Sequence, residues 1–303
     1  MVPIKRILCP VDFFPASERA VDYAIALAKT YEGKLILLHV VSPVLPSAYE
    51  IALNTEEIIT ALTESAREQL NTIAKRAQIR KVPVQVFVRV GDVDLEIHDL
   101  AKSEKADLIV MGTHGRRGFE RWFMGSVTEG LLRRSTVPLM TIGGTIAKAT
   151  YPMMRRILIT TDFSDGTSDA IRYAFSIAQE CQSRVTLLHV VSDINGEVSG
   201  KYREPLIHSI QMKIESLVPK EARDWCEVST RVETGLPSRK ILEILRKEKF
   251  DLIVMNIHGK GMLDRALLGS TAERVVRGAT APVLVIPPIK VARPKKRQPK
   301  SKK

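Results

Sequence analysis

Two stretches of the chain combine glycines and a serine at a spacing that suits the binding of an anion. Residues 111–134 read MGTHGRRGFERWFMGSVTEGLLRR, and residues 255–277 read MNIHGKGMLDRALLGSTAERVVR. In the first stretch, Gly112 ends an apolar run that predicts a strand, and Gly125-Ser126 opens a helical pattern. Glycines let a ligand approach the backbone, and a helix N-terminus offers amide donors. A strand, a glycine loop and a helix in this order therefore suit a phosphate group.

The loop pattern occurs twice, which strengthens the functional interpretation. Both stretches fit Gly-x2-Gly-x9-Gly-Ser, except that Asn256 replaces the first glycine of the second copy. If the loop occurred only once, an ordinary connection between a strand and a helix would be the favoured interpretation. The spacings from Ser126 to Glu129 and from Ser270 to Glu273 are those of a capping box, so they predict helices that begin there. A serine hydroxyl that caps a helix is less available to a phosphate.

Length and composition favour two globular domains in one chain. The 303 residues are 45% hydrophobic and 26% charged, which is typical of folded rather than disordered protein. No apolar run reaches the length of a membrane helix, and the basic N-terminus does not predict a signal peptide. Cys9, Cys181 and Cys226 have neither disulfide-framework nor metal-ligand spacing, which favours buried thiols in a reducing, cytoplasmic compartment.

The net charge of +12 is concentrated at the C-terminus. Residues 291–303 carry seven positive charges and no acid, which leaves +5 on the rest of the chain. This segment mixes lysine, arginine and proline with few apolar residues, so it is predicted to be disordered. The charge therefore indicates a basic tail rather than a specific nucleic-acid-binding face.

Predicted strands and helices alternate along the first half of the chain. Continuous apolar runs such as 34–41 (KLILLHVV) predict parallel strands that are buried on both faces. The predicted order is strand 5–12, helix 17–31, strand 34–41, helix 54–80, strand 82–90, helix 93–104, strand 107–111, the glycine-loop helix and strand 136–142. This alternation predicts an α/β fold with right-handed crossovers, in which ligands bind beyond the carboxyl ends of the strands.

The same pattern starts again at residue 155. The segment 37–42 (LLHVVS) recurs unchanged at 187–192, an offset of 150 residues, whereas the glycine loops share an offset of 144. The second copy therefore lacks six residues between its second and third strands. A repeat of this length is a whole domain. We predict domains at residues 1–148 and 149–290, followed by the tail at 291–303.

The duplicated loop resembles the nucleotide-binding motif of the universal stress protein family, in its ATP-binding branch. The resemblance covers nearly all of residues 4–143, here called the first repeat, and 154–287, the second repeat. It implies two tandem Rossmann-like α/β domains, each a five-stranded, mostly parallel sheet flanked by helices, paired about a pseudo-two-fold axis. The nucleotide-binding residues that it implies are Val11, Asp12, Val41, Met111, Gly112, Gly115, Gly125, Ser126 and Val127, and in the second repeat Thr161, Asp162, Val191, Met255, Gly259, Gly269, Ser270 and Thr271.

The resemblance also implies a function, that of a stress-response regulatory module that binds ATP, with magnesium on the phosphates. The implied partners are an adenine nucleotide and the second domain of the same chain, or a second chain in a homodimer, with no specific nucleic acid and no membrane span. The sequence has no P-loop, nucleophile elbow or duplicated acid–base pair, so we expect slow turnover at most. Two alternatives stay open: a slow ATP hydrolase or phosphotransferase on the same fold, and a non-nucleotide interaction scaffold.

Several repeated polar residues have competing interpretations. Asp12 and Asp162 end predicted strands, where a carboxylate can accept from ribose hydroxyls or cap the next helix. His39 and His189 lack metal-ligand spacing, which favours a structural role. Asn256 is expected to weaken the second site, because its side chain would occupy space that glycine leaves open and would bond to nearby backbone.

The last predicted strand of each repeat suggests how the domains assemble. Segments 137–142 and 282–286 are both short and apolar. An unpaired strand at the edge of a sheet is prone to aggregation. Single-domain members of the resembled family pair through their last strands, so the resemblance implies that these two strands associate across an internal pseudo-two-fold axis and thereby cover both edges.

Overall fold

The first repeat folds as the predicted alternation of strands and helices. The computed structural model describes residues 2–42, 55–113, 124–143, 146, 153–164, 166–192, 200–257 and 269–287. The elements of the first repeat are β1 (Arg6–Pro10), α1 (Pro15–Thr30), β2 (Lys34–Val41), α2 (Thr55–Ile79), β3 (Val84–Val90), α3 (Val93–Ser103), β4 (Leu108–Gly112), α4 (Ser126–Arg134) and β5 (Leu139–Ile142).

The second repeat has the same order with one addition. Its elements are β6 (Arg156–Thr161), α5 (Thr167–Cys181), β7 (Arg184–Val191), α6 (Gly200–Glu215), α7 (Ala222–Trp225), β8 (Val228–Thr234), α8 (Pro237–Lys247), β9 (Leu252–Asn256), α9 (Ser270–Gly278) and β10 (Val283–Ile286). The short helix α7 was not expected from the sequence. Together, α6 and α7 stand where the first repeat has the 25-residue α2, which is the region that lost six residues.

The strands of both repeats form one ten-stranded sheet in the order β3-β2-β1-β4-β5-β10-β9-β6-β7-β8. Within each repeat all neighbouring strands are parallel. Parallel strands covered by helices on both faces need apolar side chains on both faces. This explains why Leu35, Ile36, Leu37 and Leu38 of β2 are all buried.

The two repeats join through β5 and β10, which pair antiparallel. Met140 lies opposite Leu284, and both side chains are fully buried. These residues are equivalent at the offset of 144, so the pseudo-two-fold axis passes between them. The predicted pairing of the last strands is confirmed, and it leaves neither of these two strands as an exposed edge.

Two apolar layers cover the faces of the sheet. One contains buried residues of α1, α2, α5 and α6, and the other contains buried residues of α3, α4, α8 and α9. Both layers include residues from both repeats, so the core is continuous across the junction. The burial of this apolar surface, rather than the two short strands alone, holds the repeats together.

The predicted ends of the domains lie beyond what the structure describes. Residues 148 and 149, residues 290 and 291, and the basic tail all fall outside the described residues. The boundaries at these positions and the disorder of the tail stay predictions.

Candidate functional site

The first candidate crevice lies where β1 and β4 end. β1 pairs with β2 on one side and β4 on the other, so the strand order reverses between β1 and β4. Ligands of open parallel sheets bind at such a reversal, beyond the carboxyl ends of the strands. Asp12 follows β1, and Gly112 is the last residue of β4, so both lie at this edge as predicted. The second repeat has the equivalent crevice between β6 and β9.

Asp12 is bonded to the turn between β1 and α1. Its Oδ1 accepts a hydrogen bond from the backbone N–H of Phe14 at 3.0 Å and from the Ser17 hydroxyl at 2.6 Å. The N-cap of α1 is Phe14, which makes no side-chain cap. Asp12 therefore stabilises the turn that leads into α1 without being the N-cap residue of that helix. Its role toward a ligand stays a prediction.

Each crevice contains a phenylalanine in the left-handed region of the backbone. Phe13 has φ 64° and Phe163 has φ 60°, a conformation that costs a non-glycine residue about 1–2 kcal/mol. Their rings contact those of His39 and His189 at tilts of 31° and 40°, with centroids 4.6 and 4.5 Å apart. Nδ1 of each histidine lies 2.7 Å from the carbonyl oxygen two residues before its phenylalanine. The structural role expected for the histidines is confirmed, whereas the phenylalanines were missed, although Asp-Phe recurs at the offset of 150.

The helices α4 and α9 begin without a side-chain cap. Gly125 and Gly269 are the N-cap residues, and both have extended backbone. Ser126 and Ser270 are the first helical residues and are exposed, so the predicted capping boxes are wrong. The glutamates three residues later form ion pairs with arginines in the next turn. Within the described chain, no side chain therefore competes for the first amides of these helices.

Gly112 is required by the packing of α1 against β4. A β-carbon at residue 112 would lie 2.7 Å from the carbonyl carbon of Ala16 and 2.8 Å from the backbone nitrogen of Ser17. Such distances are far below van der Waals contact, and the atoms that would have to move belong to the helix backbone. The direction in which a side chain would leave this position therefore points at α1.

Asn256 occupies the position of Gly112 in the second repeat, and its side chain also points at a helix. With the amide oriented to satisfy both its atoms, Nδ2 donates to the carbonyl oxygen of Gly166 at 2.9 Å. Oδ1 accepts from the backbone N–H of Thr167 at 3.0 Å and from the Ser164 hydroxyl at 3.2 Å. The expected bonding to nearby backbone is therefore present, and it is made to the start of α5. The expected effect of this side chain on a ligand stays a prediction.

The model of the universal stress protein family matches residues 3–143 and 153–287. The chain belongs to this family. A universal stress protein of Mycolicibacterium smegmatis is 27% identical over 293 residues, which cover 93% of this chain and 97% of the relative. A universal stress protein of Methanocaldococcus jannaschii is 36% identical over 140 residues, which cover 44% of this chain and 82% of the relative.

The fold of this universal stress protein is shared with a solved structure. A universal stress protein from Archaeoglobus fulgidus aligns with a TM-score of 0.71 and 24% identity, covering 93% of this chain and 98% of that one. The family model matches each repeat once, and the alignment with the solved structure extends over both repeats. The tandem arrangement inferred from the offsets is thus confirmed.

The apolar site candidates of this universal stress protein are mostly core residues. Val11, Val41, Met111 and Met255 are buried at or next to the ends of their strands, and Val191 is half-buried. Val11 belongs to the core layer under α1, whereas Met111 belongs to the opposite layer. Apolar side chains at the strand ends therefore belong to the core layers on both faces of the sheet, and their contact with a nucleotide stays a prediction.

The other candidates belong to the first turns of α4 and α9, to the residues after β6 and to the two glycine loops. Val127 and Thr271 lie in the first turns of α4 and α9 and are half-buried. Asp162 follows β6, and its Oδ1 accepts from the backbone N–H of Ser164 at 3.0 Å. Gly115 and Gly259 lie outside the described residues, so their predicted contacts with phosphate stay predictions.

The described ranges contain neither a cluster of metal-ligating side chains nor a helix able to cross a membrane. Among these residues, no group of three or more His, Cys, Asp or Glu could hold a metal ion. No helix in these ranges combines the length and apolarity needed to cross a membrane. Burial raises the pKa of the Cys9, Cys181 and Cys226 thiols, although Cys181 is half-buried rather than buried as expected.

Proposed function

We propose that this universal stress protein binds ATP in both crevices and acts as a regulatory nucleotide-binding module. The observation that carries the proposal is the same in each repeat: a carboxylate at a strand end shares the crevice edge with a helix that starts without a side-chain cap. A carboxylate can accept from sugar hydroxyls, and uncapped helix amides favour phosphate. Together these groups match the two polar parts of a nucleotide.

The charge at the start of α4 and α9 supports an anionic ligand. A helix N-terminus carries the equivalent of roughly half a positive charge, since its first amides lack intrahelical acceptors. The Ser126 and Ser270 hydroxyls are exposed in the same turn and make no cap. They can therefore donate to phosphate oxygens together with the amides, and the conflict between capping and binding does not arise.

Magnesium enters this proposal with the nucleotide. The described residues hold no cluster of metal-ligating side chains, so the phosphates would supply the ligands that magnesium needs. We infer that the module holds ATP with slow turnover, because the sequence contains no motif that activates a water molecule. The proposal places the protein in the cytoplasm, where ATP is plentiful and scattered thiols stay reduced.

The proposal is tested by adding one negative charge to each crevice, which should abolish ATP binding there. Ser126→Asp and Ser270→Asp each place a carboxylate at the first helical position, where it favours the helix but repels phosphate. Calorimetry with ATP and magnesium should show two sites in the parent chain, one in each single variant and none in the double variant. Removal of magnesium with EDTA should weaken both sites.

Two controls accompany this titration. Ser126→Asn and Ser270→Asn keep a polar side chain of similar size without the charge, and they should retain most of the affinity. Acid extraction of the purified parent chain should release ATP, and its conversion to ADP by the protein should be slow. Failure of the parent chain to bind ATP, or equal binding by the double aspartate variant, would contradict the proposal.

A further inference from the structure

We propose that the first crevice holds ATP as its magnesium complex, whereas the second crevice binds ATP almost as tightly without the metal. This inference rests on the proposed function and deepens it, because it names the residues that set the metal dependence of each site. Asp94 sets it in the first repeat, and Arg274 sets it in the second.

In the first repeat, the carboxylate of Asp94 lies against the helix that is proposed to bind phosphate. Asp94 belongs to the first turn of α3, and a β-carbon at Gly130 of α4 would lie only 1.7 Å from its Oδ2. The carboxylate therefore occupies the space in which a side chain at residue 130 would begin. Gly130 follows Ser126 by four residues, so the two positions share one face of α4, about 6 Å apart. Asp94 thus lies about one helical turn from the proposed phosphate contact.

The surroundings of Asp94 suit an approaching cation. Its side chain is half-buried and makes no hydrogen bond or ion pair with any residue that the structure describes. Burial, followed by the negative charge of Asp92, raises the pKa of the Asp94 carboxyl, and Arg134 opposes this rise only in part. A carboxylate in such a place repels a phosphate group but attracts a metal ion that accompanies it.

Magnesium is the metal that this arrangement fits. It keeps several of its waters and is held in proteins by one or two carboxylates together with the phosphates of the substrate. Metal–oxygen distances are about 2 Å, and a hydrogen bond from a metal-bound water to a carboxylate is about 2.7 Å long. A separation of about 6 Å between the phosphate contact and Asp94 therefore leaves room for the metal and one of its waters.

In the second repeat, the corresponding positions carry the opposite charge. At the offset of 144, Ser238 stands in place of Asp94, and Arg274 stands in place of Gly130. Ser238 is buried, whereas Arg274 is exposed on α9 and forms no ion pair within the described part of the chain. Arg274 follows Ser270 by four residues and therefore shares its face of the helix. A guanidinium in this position can neutralise phosphate charge without a metal.

The helices that pack beside α4 and α9 extend this contrast. α3 packs against α4 and α8 packs against α9. The start of α3 is acidic, with Asp92 as the N-cap and Asp94 and Glu96 in the first turn. The first turn of α8 has no acidic residue, and Arg239 is exposed there. The first repeat therefore favours a nucleotide whose charge is already reduced by magnesium, and the second repeat favours the bare anion.

The experiment compares the Kd for ATP in excess magnesium with the Kd in EDTA, by calorimetry on the full chain at constant ionic strength. Ser270→Asp reports the first repeat and Ser126→Asp reports the second, since each removes binding in the other crevice. Removal of magnesium should raise the Kd of the first repeat about tenfold or more, as expected when an interaction with a charged group is lost. In the second repeat, the Kd should rise less than about threefold.

Asp94→Asn distinguishes this role from a structural one. The amide keeps the shape of the side chain against Gly130 but removes its charge. It should weaken binding of the magnesium complex and strengthen binding of metal-free ATP, so that the ratio of the two Kd values falls below about threefold. A loss of structure would instead weaken both. Asp99→Asn is the matched control, because Asp99 is an exposed carboxylate on the same helix, and it should leave both Kd values within about twofold of the parent.

Arg274 provides the complementary test in the second repeat. Arg274→Gln should weaken metal-free ATP and raise the ratio above about threefold, whereas Arg274→Lys keeps the charge and should preserve the ratio. Equal ratios in the two repeats, or an Asp94→Asn variant that weakens both forms of ATP equally, would overturn the inference while leaving ATP binding intact. A parent chain that binds no ATP would overturn the proposed function itself, and the inference with it.

Discussion

At the end of β4, Gly112 lets the first turn of α1 approach the strand backbone; at the end of β9, Asn256 fills that space and α5 begins later. By the offset of 150, the start of α1 at Pro15 corresponds to residue 165, yet α5 starts at Thr167. Ala16 correspondingly becomes Gly166. A glycine stands at the strand end in the first repeat and at the helix start in the second, where α5 begins two residues later.

Equivalent positions in the two repeats therefore pack a strand end against a helix start with residues of opposite size. In the first repeat, the contact is backbone against backbone, which only a glycine at residue 112 permits. In the second, a β-carbon on Gly166 would lie 3.4 Å from Cγ of Asn256, so the amide packs at van der Waals distance against this position. The hydrogen bonds of Asn256 satisfy the start of α5, as an N-cap would do from within the same segment.

The largest expected effect comes from placing the residue of the second repeat into the first. Gly112→Asn forces a β-carbon into the backbone of α1, and overpacking of this kind should lower the free energy of unfolding by about 3 kcal/mol. The measurement is the urea midpoint of the protein without nucleotide. Gly143→Ala is the control, because the nearest atom to its β-carbon would be 3.7 Å away, and it should change stability by less than about 0.5 kcal/mol. A Gly112→Asn variant as stable as this control would contradict the prediction, because it would mean that α1 moves away from the new side chain at little cost in free energy.

The reverse exchange should cost less. Asn256→Gly removes the hydrogen bonds to Thr167 and Gly166, and we expect a loss of about 1–2 kcal/mol in the free energy of unfolding. Gly166→Ala places a methyl group next to the space that Asn256 vacates. The double variant should therefore be more stable than the sum of the single changes predicts, with a coupling of at least about 0.5 kcal/mol. Strict additivity in this double-mutant cycle would mean that residues 166 and 256 do not compensate for one another.

Much of the fold followed from apolar patterning, because a parallel sheet between two helical layers imposes it directly. The run KLILLHVV predicted a strand at 34–41, and β2 has these bounds. Pairing of β5 with β10 was implied by the family resemblance, since single-domain members pair through their last strands, and it agrees with the presence of two short apolar strands that would otherwise be edges. Such features depend on burial, which the pattern of apolar residues in a single sequence indicates.

The details of the crevices could not be predicted, because they depend on distances between segments far apart in sequence. In the sequence, Gly112 and Asn256 are members of the duplicated glycine-loop pattern, whereas the residues that they contact, Ala16 and Gly166, lie at the starts of α1 and α5. Ala16 corresponds to Gly166 at the offset of 150, whereas Gly112 corresponds to Asn256 at the offset of 144. The two differences therefore lie in parts of the sequence that align separately. Only the structure shows that residue 112 contacts residue 16 and that residue 256 contacts residue 166.

The smallest expected effects test the starts of helices in the two repeats. Asp92 is the N-cap of α3, and its Oδ1 accepts from the backbone N–H of Leu95 at 3.1 Å. Asp92→Ala should therefore lower the free energy of unfolding by about 1 kcal/mol. In the second repeat, Leu236 takes this position without a side-chain cap, and Pro237 supplies the first helical residue instead. Leu236→Ala should thus lose no cap.

Ser126→Ala and Ser270→Ala complete this comparison in the absence of nucleotide. Both serines lie inside their helices and cap nothing, so each change should alter stability by less than about 0.5 kcal/mol, since alanine is also the better helix former. A loss near that of Asp92→Ala would mean that the serines cap α4 and α9 in solution. In that case the hydroxyls would be engaged before any ligand arrives. A neutral result for both, with a clear loss for Asp92→Ala, keeps the two helix starts available to phosphate.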